Sequence, residues 1–206
     1  MKKAISFFLI LSILLGISTS LAATKVSGSN LSSVGGTIDD FKYEIEKNNI
    51  KLTKYIGTSA IVIVEEKYEL DGKKYNTDLT DCKITNRSVR AVYFSEGIKE
   101  INDSIFNGSD VMKIYLPKSM NVISTRFLGY LHADNGDKVE VYYPGKQAEF
   151  EKKLTNESGN QSKNKAAQKG ADWANKLNNM LGIGYDPDDF DFIFEATKED
   201  FLSAIE

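Results

Sequence analysis

The sequence predicts an α/β solenoid: a short stack of repeats with one strand per turn, followed by a small, mostly helical C-terminal segment. Three observations predict it. An apolar pattern recurs at an offset of 22 residues in the middle of the chain. Within each copy, a short alternating run gives way at a proline or polar residues to a turn-rich return path. Beyond residue 154 the apolar spacing includes a helical period. Composition agrees. The 206 residues are 41% hydrophobic and 27% charged with three prolines, which fits one soluble domain and excludes a collagenous, wholly disordered or polytopic membrane chain.

Met1-Lys2-Lys3, an apolar run from Ile5 to Ile17, and Ser18-Thr19-Ser20-Leu21-Ala22-Ala23 have the order of a secretory signal peptide. Ser20 and Ala22 suit the small-residue positions of the cleavage groove, so residues 1–22 are expected to be removed. The run falls short of the ~20 residues that span a bilayer, so no transmembrane anchor is expected after processing. Residues 23–40 are rich in Ser and Gly and read as a flexible leader.

The repeat occupies the middle of the chain. Val89, Val92, Phe94, Ile98, Ile101, Ile105 and Phe106 superpose on Val111, Ile114, Leu116, Met120, Ile123, Phe127 and Leu128 at the 22-residue offset. After a loop at His132–Asp137, Val141-Tyr142-Tyr143-Pro144 aligns with Ile114-Tyr115-Leu116-Pro117 at an offset of 27. Ile61-Val62-Ile63-Val64 is a degenerate earlier copy. One unit cannot cover its own apolar face, so stacking must do it. Strand parity then turns Tyr93, Tyr115 and Tyr142 away from the core, with Val62 at the matching place in the first copy. Ala91, Lys113 and Glu140 flank this ladder. Stacked at ~4.8 Å, three tyrosines offer rigid amphipathic contact area suited to a protein or glycan ligand; their blander use is to stabilise the sheet through cross-strand pairs.

Val92-Tyr93-Phe94-Ser95-Glu96-Gly97-Ile98-Lys99-Glu100-Ile101-Asn102-Asp103-Ser104-Ile105-Phe106-Asn107-Gly108 closely resembles the BspA-type leucine-rich repeat, and Ile114 to Ile123 resembles it again. Phe41 to Gly57, with Asp71-Gly72-Lys73, is similar to the lead-in segment of such proteins. Tyr142-Tyr143-Pro144-Gly145 with Glu149-Phe150 is similar to their closing segment. The resemblance covers residues 41–154, taken here as the repeat domain; Leu128 and Ser109 stand where an aromatic and a cysteine are usual. It implies a secreted or surface-exposed bacterial protein with an interaction role and no reaction.

Residues 155–206 are expected to form a helical cap or docking segment. Lys152–Lys165 reads as a polar linker or an exposed helix start. Ala166, Gly170, Trp173, Ala174, Leu177 and Leu181 fall on one helix face that Gly182 and Gly184 end. Trp173 is the anchor if this segment docks a partner. Phe190–Phe194 suits a short strand. Thr197-Lys198-Glu199-Asp200 resembles a capping box with Asp in place of Glu, opening a helix that bears Phe201, Leu202 and Ile205.

Chemistry has little material. One cysteine excludes an intrachain disulfide framework, and one histidine makes metal or triad sites improbable. Cys82 and His132 lie about two turns apart, roughly 10 Å against the ~3 Å of proton transfer; Cys82 is expected to pack as a small hydrophobe. Asp186, Asp188, Asp189 and Asp191 are weak calcium candidates, since Phe190 and Asp191 break the EF-hand pattern. No cofactor is expected. Net charge is −3, which argues against nucleic acid as a partner. The expectation is a secreted, non-enzymatic module for an unknown protein or glycan ligand, outside the cell or loosely on its surface. The rivals are a matrix-associated structural spacer and an enzyme whose site lies in the C-terminal tail.

Overall fold

The computed structural model describes residues 35–131, 133, 137–155 and 187–205. The signal peptide, most of the leader, His132, the helix expected from Ala166 to Leu181 with its Trp173, and Asp186 lie outside the described residues. What is described is strand-rich with few helices.

Five strands build the first sheet: of β1 (Gly35–Ile38), β2 (Phe41–Glu46), β3 (Asn49–Tyr55), β4 (Ile61–Val64), β5 (Lys67–Leu70) and β6 (Lys73–Asp78), all but β4 join it. Their order is β1-β2-β3-β6-β5, antiparallel except for the β3/β6 pair. Two tight turns set the register. Asp39-Asp40 and Asp71-Gly72 all have positive φ, the left-handed conformation that matches the twist of a two-residue hairpin. β1 corrects the expectation of a leader running to residue 40. Gly35–Ile38 pairs along its length with Phe41–Glu44, because Asp39-Asp40 folds it back as a hairpin arm.

The second sheet is parallel throughout. It joins β4, β7 (Ala91–Phe94), β8 (Lys113–Tyr115), β10 (Val139–Tyr143) and β12 (Phe190–Phe194), in the order β12-β10-β8-β7-β4. Its pairings carry both sequence offsets: Val92 lies opposite Ile114, and Ile114 opposite Val141. Val62, Val92, Ile114 and Val141 form one buried row; Val64, Phe94, Leu116 and Tyr143 form the next. The return path after each strand supplies the opposite wall. Phe106 packs against Phe94 and Phe127, with ring centroids 6.2 and 5.4 Å apart. Ser109, the buried polar side chain there, gives its hydroxyl to the Phe106 carbonyl at 2.8 Å.

Polar side chains tie loops of successive strands together. Asn86 Nδ2 donates to the Gly57 carbonyl at 2.6 Å, and Asn102 Nδ2 to that of Thr80 at 2.8 Å. Each asparagine also accepts from the amide two residues on, closing its own turn. On the other side of the strands, the Glu96 carboxylate accepts from the amides of Lys118 and Ser119. Backbone groups of the loops are thereby satisfied without a sheet.

Three features differ from the sequence reading. Ile63, not Val62, lies opposite Tyr93, and Val62 is buried against Val92. The run Ile61-Val62-Ile63-Val64 is apolar at every position, so hydropathy cannot fix its parity; pairing does. The segment from Lys152 is not yet linker: α2 (Gln147–Lys153) follows β10, and β11 (Leu154–Thr155) pairs with β9 (Ile123–Ser124), which leads into α1 (Thr125–Leu128). And Tyr142–Phe150 does not close the sheet. β12 adds one more parallel strand, with Val141 opposite Phe192 and Tyr142 opposite Ile193. The described part of the tail is thus a strand before it is a helix, α3 (Lys198–Ser203).

Candidate interaction face

The outward row of the parallel sheet reads Ile63, Tyr93, Tyr115, Tyr142 and Ile193 across its five strands. The Tyr93 and Tyr115 rings stack at 4.7 Å, as parallel in-register strands require. The ladder therefore exists in the expected register. Its exposure does not: Tyr93, Tyr115 and Tyr142 are 7%, 4% and 5% accessible. The correction has a plain cause. Parity turns these rings away from the main core, but α3 lies across them and makes a second, smaller core of Ala91, the three tyrosines, Ala196 and Phe201.

The sequence shapes this cover locally. Thr197 caps α3, accepting from the Asp200 amide, while the Asp200 carboxylate accepts from the Thr197 amide at 2.7 Å. Those bonds, the backbone amide first and the Thr197 hydroxyl second, hold the Asp200 carboxyl below its ordinary pKa. The reciprocal cap starts the helix so that Phe201 faces the sheet. Its ring centroid lies 5.9, 6.0 and 5.4 Å from those of Tyr93, Tyr115 and Tyr142. Lys198 Nζ stands 4.9 Å over the Tyr93 ring, a cation–π contact.

The rim is polar. Tyr115 donates its hydroxyl to the Ala196 carbonyl at 3.4 Å, and Lys113 Nζ donates to the Ala204 carbonyl at 2.8 Å. Lys113 also pairs with Glu140 at 3.0 Å, and Glu140 accepts the Tyr142 hydroxyl at 2.5 Å. Burial pushes the Tyr115 phenol up to about 12. Tyr142 rises too, through burial first and then through donation to a carboxylate, which only the protonated phenol can make. Tyr93 moves the same way, chiefly by burial.

The other sequence candidates are not gathered here. Asp188 and Asp189 lie in a single 3-10 turn, Pro187–Asp189, and the Asp191 carboxylate meets Lys138 Nζ at 3.3 Å. Among the described residues, no group of three or more His, Cys, Asp or Glu is placed to hold a metal ion. Cys82 is a fully buried free thiol whose pKa burial pushes up to about 12, which suits a packing group and not a nucleophile. Sequence reasoning also missed a polar cleft of about 420 Å³, lined by Asn49, Asn76, Asp78, Thr80, Lys99 and Glu100. Its walls come from four separate stretches of chain, Glu66 supplying the fourth, so no local spacing announces it.

Among the described residues no helix is long and apolar enough to cross a membrane. No protein-family model matches the sequence. No curated protein matches it either. Among solved structures, the chain is similar to a leucine-rich cell surface protein from Faecalibacterium prausnitzii A2-165, at 16% identity and a TM-score of 0.31. That likeness covers 60% of this chain and 30% of the other, so the chain spans less than a third of the length of the protein it matches.

Proposed function

We propose that this chain is a secreted, non-enzymatic interaction module of the BspA leucine-rich repeat type, stacked as a solenoid with one strand per turn. Its ligand is a protein or a glycan met outside the cell or at its surface. The observation that carries the reading is the five-stranded parallel sheet, whose registers follow the 22- and 27-residue offsets and line up three tyrosines on one face. Such a sheet is a rigid platform, and repeat stacks use platforms of this kind to present extended binding surfaces. The buried, proton-holding Cys82 adds no nucleophile to it.

The test immobilises the full secreted chain and passes over it a panel of defined glycans and purified extracellular proteins. Saturable, reversible binding to one class supports the module. In parallel, ester, peptide and glycoside substrates are offered to the same protein. Turnover proportional to protein concentration sinks the non-enzymatic reading and moves attention to the tail. Intact mass of the secreted material should begin at Ala23; material retaining Met1 overturns the soluble-export part.

A further inference from the structure

We infer that the tyrosine face is a peptide-docking site held shut by the chain's own α3, and that its occupant in trans is a short peptide of the α3 kind: a lysine followed three residues later by an aromatic anchor. The inference rests on the interaction reading and names the site and ligand class for it.

Four observations carry it. The aromatic cluster under α3 is separate from the main core, so the cover contributes to one small set of contacts and not to the stack as a whole. The cover is thin. α3 has six residues, and Phe201 is its one buried side chain. The sheet also holds the segment at two backbone points: Tyr115 reaches the Ala196 carbonyl and Lys113 the Ala204 carbonyl, one near each end of the helix. A groove accepts a helical peptide by its apolar face, through anchors at i, i+3, i+4 and i+7. Here Lys198 over Tyr93, Phe201 among three tyrosine rings, and the partly buried Leu202 and Ile205 fall at those spacings. Finally, the strand that delivers α3 is anchored independently, since β12 pairs with β10 over five residues and the Ala196 amide donates to the Tyr143 carbonyl. α3 can leave the tyrosines without pulling β12 from the sheet.

A site closed in cis has an apparent affinity lowered by the fraction of chains in which it is open. Weakening the cover must therefore raise affinity for a peptide added in trans. The experiment uses the full chain carrying Phe201→Ala and a fluorescent synthetic peptide spanning residues 195–205, read by anisotropy. The variant is expected to bind at least tenfold more tightly than the unsubstituted chain. Adding Tyr115→Ser should remove that gain, and a peptide carrying Phe201→Ala should not bind. Equal affinity for both chains, or none for either, overturns the inference. So does a Phe201→Ala chain that no longer melts cooperatively, because α3 would then be part of the core and not a cover. No outside partner enters this assay, so its failure leaves the panel result standing, and failure of the panel leaves this one standing.

Discussion

Ile114 is a position at which one substitution reaches two neighbouring strands of the parallel sheet. It is wholly buried, with Val92 opposite on one neighbouring strand and Val141 on the other. Truncation to alanine removes its contacts with both neighbouring strands at once and leaves a cavity between them, a change that costs about 2–5 kcal/mol in packed cores. For a domain of this size each kcal/mol lowers the melting temperature by about 2–4 °C, so Ile114→Ala should melt roughly 4–20 °C below the parent. Ile114→Asp adds an unpaired buried charge, several kcal/mol more, and the sum approaches the ~5–15 kcal/mol that holds a domain together. That variant should show no cooperative transition, or fail to accumulate. The comparison is Val122→Asp: the same chemical change at a side chain 43% exposed, where about 0.5 kcal/mol or less is at stake. Circular dichroism melts of all three decide it. An Ile114→Asp chain melting within a few degrees of the parent would refute the register, and with it the stacked core.

Other perturbations follow from the same structure. Cys82 should resist alkylation in the folded chain and return one thiol equivalent in denaturant, and a disulfide-linked dimer as the main folded form would contradict its burial. The protein should lose stability at alkaline pH. Tyr68, Tyr115 and Cys82 are held up to about 12 when folded, whereas unfolded phenols and thiols ionise near 9–10, so the unfolded state sheds protons first and stability falls from about pH 9 to 12; urea midpoints across that range check the slope. Thr197→Ala should speed hydrogen exchange at the amides of Phe201 and Ala204, which close α3, while leaving Leu116 protected by its bond to Tyr142. Ser109→Ala should stay within about 1 kcal/mol of the parent, because the Phe106 carbonyl keeps the Ser109 backbone amide as a donor.

How much of this was legible in the sequence depends on whether a local pattern had to name a distant partner. Val92, Ile114 and Val141 could be placed in register because each heads an alternating run with a polar or proline-containing exit. Thr197 and Asp200 announced their cap because both partners lie within four residues. Ile61–Val64 lacked alternation, and its parity went to the wrong residue. The tyrosines were assigned correctly to the outer face, yet what covers them is Phe201, between 59 and 108 residues further along the chain. Period and propensity say that Phe201 must be buried; they do not say where. The same limit hid Asn86 and Asn102, whose short local turns were readable in principle but whose second bond, to an earlier loop, was not.

β12 is the last strand of its sheet in both space and sequence, and that coincidence has a cost in time. Pro144 to Asp189 separate β10 from β12 along the chain, so the ribosome makes that stretch before the strand that pairs with β10. At ordinary synthesis rates of ~5–20 residues per second, that edge waits roughly 2–9 s for its neighbour. An unpaired strand edge is a template for any chain of the right pattern. Phe190–Phe194 of another nascent copy has that pattern by identity. A copy whose tail is complete can therefore lend its Phe190–Phe194 to a younger chain during this interval, before that chain's own tail arrives.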